Sequence, residues 1–284
     1  EITGDAIPNE IPGVKEVHAV DAAGVHPLLL AIGSERYTPY APTKQPAELL
    51  TIANHILGTG QLSLAKFLFI TADDSNQLST HDEAQFFQYM LERLHLDRDV
   101  HFYTHTTIDT LDYSGTGLNS GSKVVFAAYG DPIRTLEHEL PSFMSDLEGV
   151  EDIKMILPGV AAIQTKLYNN EQETNSELAL LNSKLIEKLG DLSGLPLLIW
   201  CDDAAFTAKS IKNFLWVAFT RCNPSHDIHG IGSFHLHKHW GCSGPLILDS
   251  RIKPHHAPPV ELDHDVFKKT NRLFEKGGSL FGVI

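Results

Sequence analysis

The chain has 284 residues, which allows one large domain or two small ones. Acidic residues outnumber Lys and Arg 36 to 22, and the formal net charge of −14 at pH 7 is the wrong sign for a phosphate-backbone contact face, so nucleic acid is excluded as an expected partner. With 42% apolar and 20% charged residues the chain can bury a sizeable core, and none of its apolar runs approaches the ~20 residues of a membrane span.

In chain order, Glu1 opens the sequence without an initiator Met, a basic n-region or an apolar h-region. The expectation is a processed product or a piece of something longer. Residues 17–20 and 27–32 read as strands. Residues 47–57 read as a helix, with Leu49, Leu50, Ala53, Ile56 and Leu57 on the apolar side and Gly58 and Gly60 as stop signals. Residues 67–71 form a near-continuous apolar run, as in a strand covered on both faces. Thr80 and Asp82 are candidate N-caps for the amphipathic stretch 83–94. Residues 114–122, rich in Gly, Ser, Thr and Asn, read as a loop. Residues 169–176 read as a surface loop or a helix start. A last helix is expected over 266–274, ended by Gly277-Gly278. Strands alternating with helices predict α/β architecture with mixed, largely parallel sheets covered by helices.

The sequence contains itself twice. The run from Ala65 to Thr71 ends in Ala72-Asp73-Asp74, and the run from Gly194 to Trp200 ends in Cys201-Asp202-Asp203. Each leads into an amphipathic stretch, 83–94 and 208–219. An Arg (Arg93, Arg221) and then an Asp (Asp99, Asp227) follow at nearly matching distances. Ile11-Pro12-Gly13-Val14 is matched to Leu157-Pro158-Gly159-Val160 as the opening of a unit, and Ser120-Gly121 to Ser243-Gly244 near its end. The predicted organisation is a first unit over 1–135, an acidic linker over 136–154, and a second, similar unit over 155–284. A duplicated unit usually keeps a self-complementary face, so one pseudo-symmetric body is expected.

Three residue sets could carry chemistry. The Asp pairs sit at strand ends, where α/β folds bind ligands, and two carboxylates can hold Mg²⁺ for phosphoryl chemistry. Their competing role, which weighs more, is closing a turn, with Arg93 and Arg221 as ion-pair partners. The 16 histidines cluster late. On a strand, His235, His237 and His239 would share one face and could bind a metal, although HExxH is absent and a polar strand face is the stronger reading. Cys201 and Cys222 lie in apolar context, which makes a thiol inert, while Cys242 is the most exposed-looking. With three cysteines and no CxxC, neither a disulfide scaffold nor a Cys-rich zinc site is expected, and a reducing, cytoplasmic setting fits best. There is no GxSxG, and Gly58-Thr59-Gly60 follows a helix, so it is no dinucleotide fingerprint.

Lys66-Phe67-Leu68-Phe69-Ile70-Thr71-Ala72-Asp73-Asp74, then Arg93, Asp97-Arg98-Asp99, Thr107-Ile108-Asp109-Thr110-Leu111-Asp112-Tyr113 and Gly121-Ser122-Lys123 resemble the C-terminal domain of UbiD-type decarboxylases. That family includes the 3-octaprenyl-4-hydroxybenzoate carboxy-lyases of ubiquinone biosynthesis and relatives in menaquinone synthesis. The likeness is strongest over residues 8–130. In the second unit Asp202-Asp203, Phe214-Leu215-Trp216, Thr220-Arg221, Pro224 and Asp227 are similar, as in longer members with an additional C-terminal segment.

The resemblance implies that the full-length protein decarboxylates aromatic or α,β-unsaturated acids without oxidation, using prenylated FMN, a divalent metal (usually Mn²⁺) and K⁺. It implies that the cofactor ligands and a Glu-Arg-Glu trio lie in a preceding flavin-binding domain, of which no counterpart is read here. No catalytic, cofactor-binding or metal residue is therefore carried over. The expected role is an oligomerisation and scaffold region, inactive alone, whose partners are further copies and the flavin-binding domain. The rivals are a metal-dependent hydrolase or phosphotransferase using the Asp pairs or the His strand, and a non-enzymatic interaction module.

Overall fold

The computed structural model describes residues 4–258 and 262–283. The first sheet holds β1 (Glu16–Ala19), β2 (Leu28–Gly33), β3 (Phe67–Ala72), β4 (Val100–Thr106) and β5 (Gly121–Ala128), in the order β1-β2-β3-β5-β4. The second holds β6 (Asp152–Leu157), β7 (Val160–Gln164), β8 (Leu197–Cys201), β9 (Ile228–Gly230) and β12 (Leu246–Asp249), in the order β6-β7-β8-β12-β9. In each sheet the three central strands run parallel and both edge strands run antiparallel. Strand for strand the two topologies are the same. Between β9 and β12 the second lobe adds a small hairpin of β10 (Phe234–Leu236) and β11 (His239–Gly241).

The equivalence corrects two landmarks. Pro12-Gly13 precedes β1, whereas Pro158-Gly159 is the turn between β6 and β7. Both glycines have positive φ, +87° and +80°, the geometry a type II turn demands after Pro. Shared turn chemistry, not shared ancestry of position, produced that match. The strand β6 also begins at Asp152, inside the segment read as a connection. The Asp pairs, the terminal arginines of the two helices, Asp99 with Asp227, and the β5 and β12 starts do fall at equivalent places.

Each sheet is covered on both faces, which explains why β2, β3, β5, β8 and β12 are buried from end to end. On β3, Leu68 and Ile70 point to α1 (Ala47–Leu57), whose Leu49, Ile52, Ala53 and Ile56 recur at helical spacing. On β8, Leu198 and Trp200 point the other way, towards α3 (Glu171–Leu185), where Leu181 and Leu185 pack. Between the sheets lies a shared core. It contains Phe67 and Phe69 of β3, Leu197 and Ile199 of β8, and the apolar faces of α2 (Glu83–Arg93) and α4 (Ile211–Arg221). Phe219 of α4 stands edge-on to Phe67 at 5.0 Å and stacks on Phe87 of α2 at 5.8 Å. Aromatic pairs of this kind add about 0.5–1.5 kcal/mol beyond burial. The lobes are thus one packed body.

The caps follow local rules. Asp82 accepts from the Gln85 N–H and is the cap of α2, whereas Thr80 is buried and bonds Glu16. Asp203 caps the short helix Ala204–Ala208, and Ser210 caps α4. The last helix, α5 (His264–Phe274), buries none of its residues, although Val266, Phe267, Leu273 and Phe274 line one side of it.

Candidate functional site

The two sheets present opposite ends to a cleft between the lobes. Pro27 and Lys66, just before β2 and β3, face it from the first lobe. Asp249, at the end of β12, faces it from the second. The loop between β4 and β5 divides it into two cavities that share Asp112, Tyr113 and Ser114. One, about 590 Å³, is lined by residues with polar or ionisable groups, Tyr168, Asn223, His226, Asp227, His229 and Lys253 among others. The other is about 750 Å³ and mostly apolar.

Buried charges fill the polar side. Arg251 grips Asp249 with two parallel N–H bonds, from Nε at 2.9 Å and Nη2 at 2.8 Å, and reaches Glu177 at 3.0 Å. Its guanidinium lies 4.1 Å from the centre of the Trp200 ring. Lys253 Nζ sits 3.3 Å from Asp227 and 3.9 Å from Asp249, and donates to the Asp249 carbonyl at 2.9 Å. Burial works against ionising Asp249, but Arg251 and Lys253 outweigh it and hold this carboxyl below its ordinary range. Asp227 lacks the guanidinium, and burial raises it. In the first lobe Lys66 pairs with Asp112 at 2.8 Å and donates to Ser114 at 2.6 Å. Burial pushes His229 down to about 4, so it is neutral here. Every cation in this group is committed to a carboxylate beside it. The arrangement clamps loops together, and beside it His226 Nδ1 stands 3.0 Å from the Ser225 hydroxyl.

The sequence candidates land elsewhere. Asp73 accepts from Ser75, Gln77 and Leu78 and closes the loop after β3. Burial opposes its charge, yet these bonds bring it down to about 2. Asp74 accepts from Tyr129 at the surface. This pair ends β3, about 20 Å along the strand from Lys66, and lines neither cavity. Asp202 accepts from Arg221 at 3.1 Å and from the Ile252 N–H at 2.9 Å. Arg221 therefore pairs within its unit as expected. Arg93 also pairs within its unit, but with Glu92 and not with Asp73 or Asp74; it further bonds the carbonyls of Tyr89 and Gly130 and lies over the Tyr89 ring.

His235, His237 and His239 do not share a strand face. His237 and Lys238, both at positive φ (49° and 68°), form the turn of the β10–β11 hairpin. Reversal of the chain there replaces strand alternation. Cys242 is not exposed: its thiol is buried, donates to the Gly244 carbonyl at 3.2 Å, and is pushed up to about 12 by burial. Burial raises Cys201 to about 11 and places Cys222 well above its ordinary value. Among the described residues no group of three or more His, Cys, Asp or Glu is placed to hold a metal ion. The residues present do not fit the divalent metal that the resemblance implies, and no step is assigned to it or to a flavin.

Sequence reasoning missed Lys66, Asp112, His229, Asp249, Arg251 and Lys253 as a set. The signal that could have found them is the alternation Asp249-x-Arg251-x-Lys253 directly after the apolar run of β12.

Residues 1–128 match the model of the 3-octaprenyl-4-hydroxybenzoate carboxy-lyase C-terminal domain. The chain is 34% identical over 271 residues to a 4-hydroxybenzoate decarboxylase subunit of Chlamydia pneumoniae, covering 95% of this chain and 42% of that protein. It is 33% identical over 276 residues to an uncharacterised protein of Chlamydia caviae, covering 97% and 43%. It thus spans under half the length of these relatives. Among solved structures, the vanillic acid decarboxylase of Sedimentibacter hydroxybenzoicus in its open form matches with 18% identity and a TM-score of 0.36, over 51% of this chain and 30% of that one. The apo 3,4-dihydroxybenzoic acid decarboxylase of Klebsiella pneumoniae matches with 19% identity and a TM-score of 0.36, over 50% and 30%.

Proposed function

We propose, from the premise that residues 1–128 belong to the UbiD-type carboxy-lyase C-terminal family, that this chain is the C-terminal scaffold and oligomerisation region of a decarboxylase. The whole protein would be a prenylated-FMN-dependent, non-oxidative carboxy-lyase for aromatic acids, of the quinone-biosynthesis type, working with Mn²⁺ and K⁺ in a cytoplasmic setting. The observation that carries this reading is 34% identity along 95% of the chain to a relative named as a decarboxylase subunit. Both lobes align with that relative, so the second lobe is part of the same protein type.

The scaffold role is supported by how the polar groups are used. The Asp pairs close loops, the buried cations of the cleft are paired, and all three thiols are buried. Self-association is supported by α5. Val266 and Phe267 are 55% and 47% exposed on its apolar side, while Lys268, Lys269 and Arg272 make its other side basic in an acidic chain. A second copy offers both an apolar surface and the opposite charge. No helix among the described residues is long and apolar enough to cross a membrane.

The test is turnover. The purified chain, given prenylated FMN, Mn²⁺, K⁺ and 4-hydroxybenzoate, is expected to release no CO₂. Steady release, lost on mutation of cleft residues such as Lys253, would overturn the scaffold reading. The coding sequence upstream of Glu1 bears on the same point: a flavin-binding domain in frame supports the proposal, and its absence argues for a free-standing interaction module.

A further inference from the structure

The hairpin that the second lobe adds to the shared topology reaches back onto the first lobe, whatever the parent protein does. The Cys242 N–H, just past β11, donates to the Leu96 carbonyl at 3.1 Å. Gly241 lies so close to Asp97 that a Cβ there would stand 2.8 Å from its carbonyl oxygen. Trp240 meets Phe102 of β4 edge-on at 5.4 Å. These contacts bring the neighbouring His239 beside His101 of β4, with ring centres 5.4 Å apart. The two imidazoles come from different lobes and line one cavity of about 370 Å³, together with Thr104, Ser225, His235 and Trp240.

Both rings carry the same anomaly. His101 Nε2 and His239 Nε2 are buried, and neither has a hydrogen-bond partner among the described residues. A buried polar atom left unpaired is costly, and two on neighbouring rings call for a shared partner such as an ion. Burial, then His239 and Arg98, hold His101 down to about 4, so it is unprotonated at neutral pH. A neutral imidazole with its proton on Nδ1 presents Nε2 as a lone pair. Two such rings on one tetrahedral ion, with metal–nitrogen bonds of roughly 2.0–2.1 Å, have centres roughly 5–5.5 Å apart. The spacing of His101 and His239 falls in that range. Of the nearby cations, Arg98 is paired with Asp99 at 2.5 Å, and Lys238 is exposed, so water screens its charge.

We propose that His101 and His239 hold a Zn²⁺-class cation through both Nε2 atoms, with its remaining positions open to ligands from outside the chain. Two imidazoles suit a borderline ion, whereas Mn²⁺ and Ca²⁺ take oxygen donors, so this site is separate from the metal that the resemblance implies. An ion shared by β4 and β11 staples one lobe to the other.

Titration of the full chain with Zn²⁺ against a colorimetric chelator tests this. One Zn²⁺ per chain is expected, tighter than any binding by the other histidines, and a tenfold excess of Mn²⁺ should not displace it. Co²⁺ in its place should give the strong visible absorption of a tetrahedral ion, which a merely structural pair of rings would not. His101→Gln and His239→Gln should each weaken binding at least tenfold and remove the Co²⁺ band, while His237→Gln, in the hairpin turn, leaves both unchanged. Because His101 stands in the sheet, His239→Gln on the hairpin is the variant expected to keep its far-UV dichroism. No saturable Zn²⁺ binding, displacement by Mn²⁺, or binding indifferent to His239→Gln (an adventitious ion on other histidines only) would overturn the proposal.

Discussion

Asp99 and Asp227 occupy the same place in the two lobes, one residue before the antiparallel edge strand, β4 or β9. Each accepts a backbone N–H from four residues earlier, His95 at 2.9 Å and Asn223 at 2.7 Å. Burial raises both. Their cations differ. Asp99 uses the adjacent Arg98, which is 30% exposed, whereas Asp227 uses Lys253, a 4%-exposed side chain that also serves Asp249. The first lobe keeps a local, solvent-touched pair. The second has built its pair into a buried network at the cleft. A repeated fold thus fixes where a carboxylate must stand, and the residues added around it decide whether it is a local staple or part of a site.

The comparison can be broken by substitution. Lys253→Met leaves Asp227 and Asp249 short of a cation, and removing one partner of a buried pair costs about 3–5 kcal/mol. Arg98→Met should cost less, about 1–3 kcal/mol, because Asp99 keeps its backbone donor beside a half-wet partner. Urea denaturation of both variants checks the order, and equal losses would dissolve the distinction.

Phe219→Ala should also cost about 3–5 kcal/mol, since it removes the ring that touches Phe67 and Phe69 of the first lobe and Phe87 and Phe214. All three tryptophans, Trp200, Trp216 and Trp240, lie in the second lobe. Tryptophan fluorescence and far-UV dichroism should nevertheless give one coincident transition, because the core is shared. Two separated transitions would make the lobes independent units.

The pH response sharpens the contrast further. Burial holds His101 of the first lobe at about 4, and His229 and His256 of the second at about 4 and 3, against an ordinary value of 6.5. The unfolded chain therefore binds more protons than the folded one below pH 6.5. Stability should fall as pH drops from about 6.5 towards 4. His229→Gln should flatten that dependence in thermal melts, and an unchanged slope would contradict the assignment. A smaller effect is expected from Asp203→Ala, which loses the cap of Ala204–Ala208, about 1 kcal/mol, and the smallest from Asp74→Ala, which should be close to neutral by the same melts.

The periodic parts of the fold were legible in sequence. Residues 47–57 form the expected helix, the run at 67–71 lengthens by one residue to Ala72, and the Asp-Asp landmarks mark equivalent strand ends. The Pro-Gly match misled because a type II turn serves any junction. The His run misled because two left-handed residues, His237 and Lys238, turned a presumed strand into a hairpin, and neither is Gly or Asn. The cleft was not legible. Its charges come from five separated stretches, around 66, 112, 177, 227 and 249–253, and pairing such as Lys66 with Asp112 depends on which loops the sheets bring together. Local pattern carries no such information.

Sedimentation equilibrium of the chain at micromolar concentration, alone and with Phe267→Asp on α5, tests the scaffold account most directly. The account predicts a dimer or larger assembly that the substitution shifts to monomer without loss of helix content. A clean monomer for the unaltered chain would contradict it.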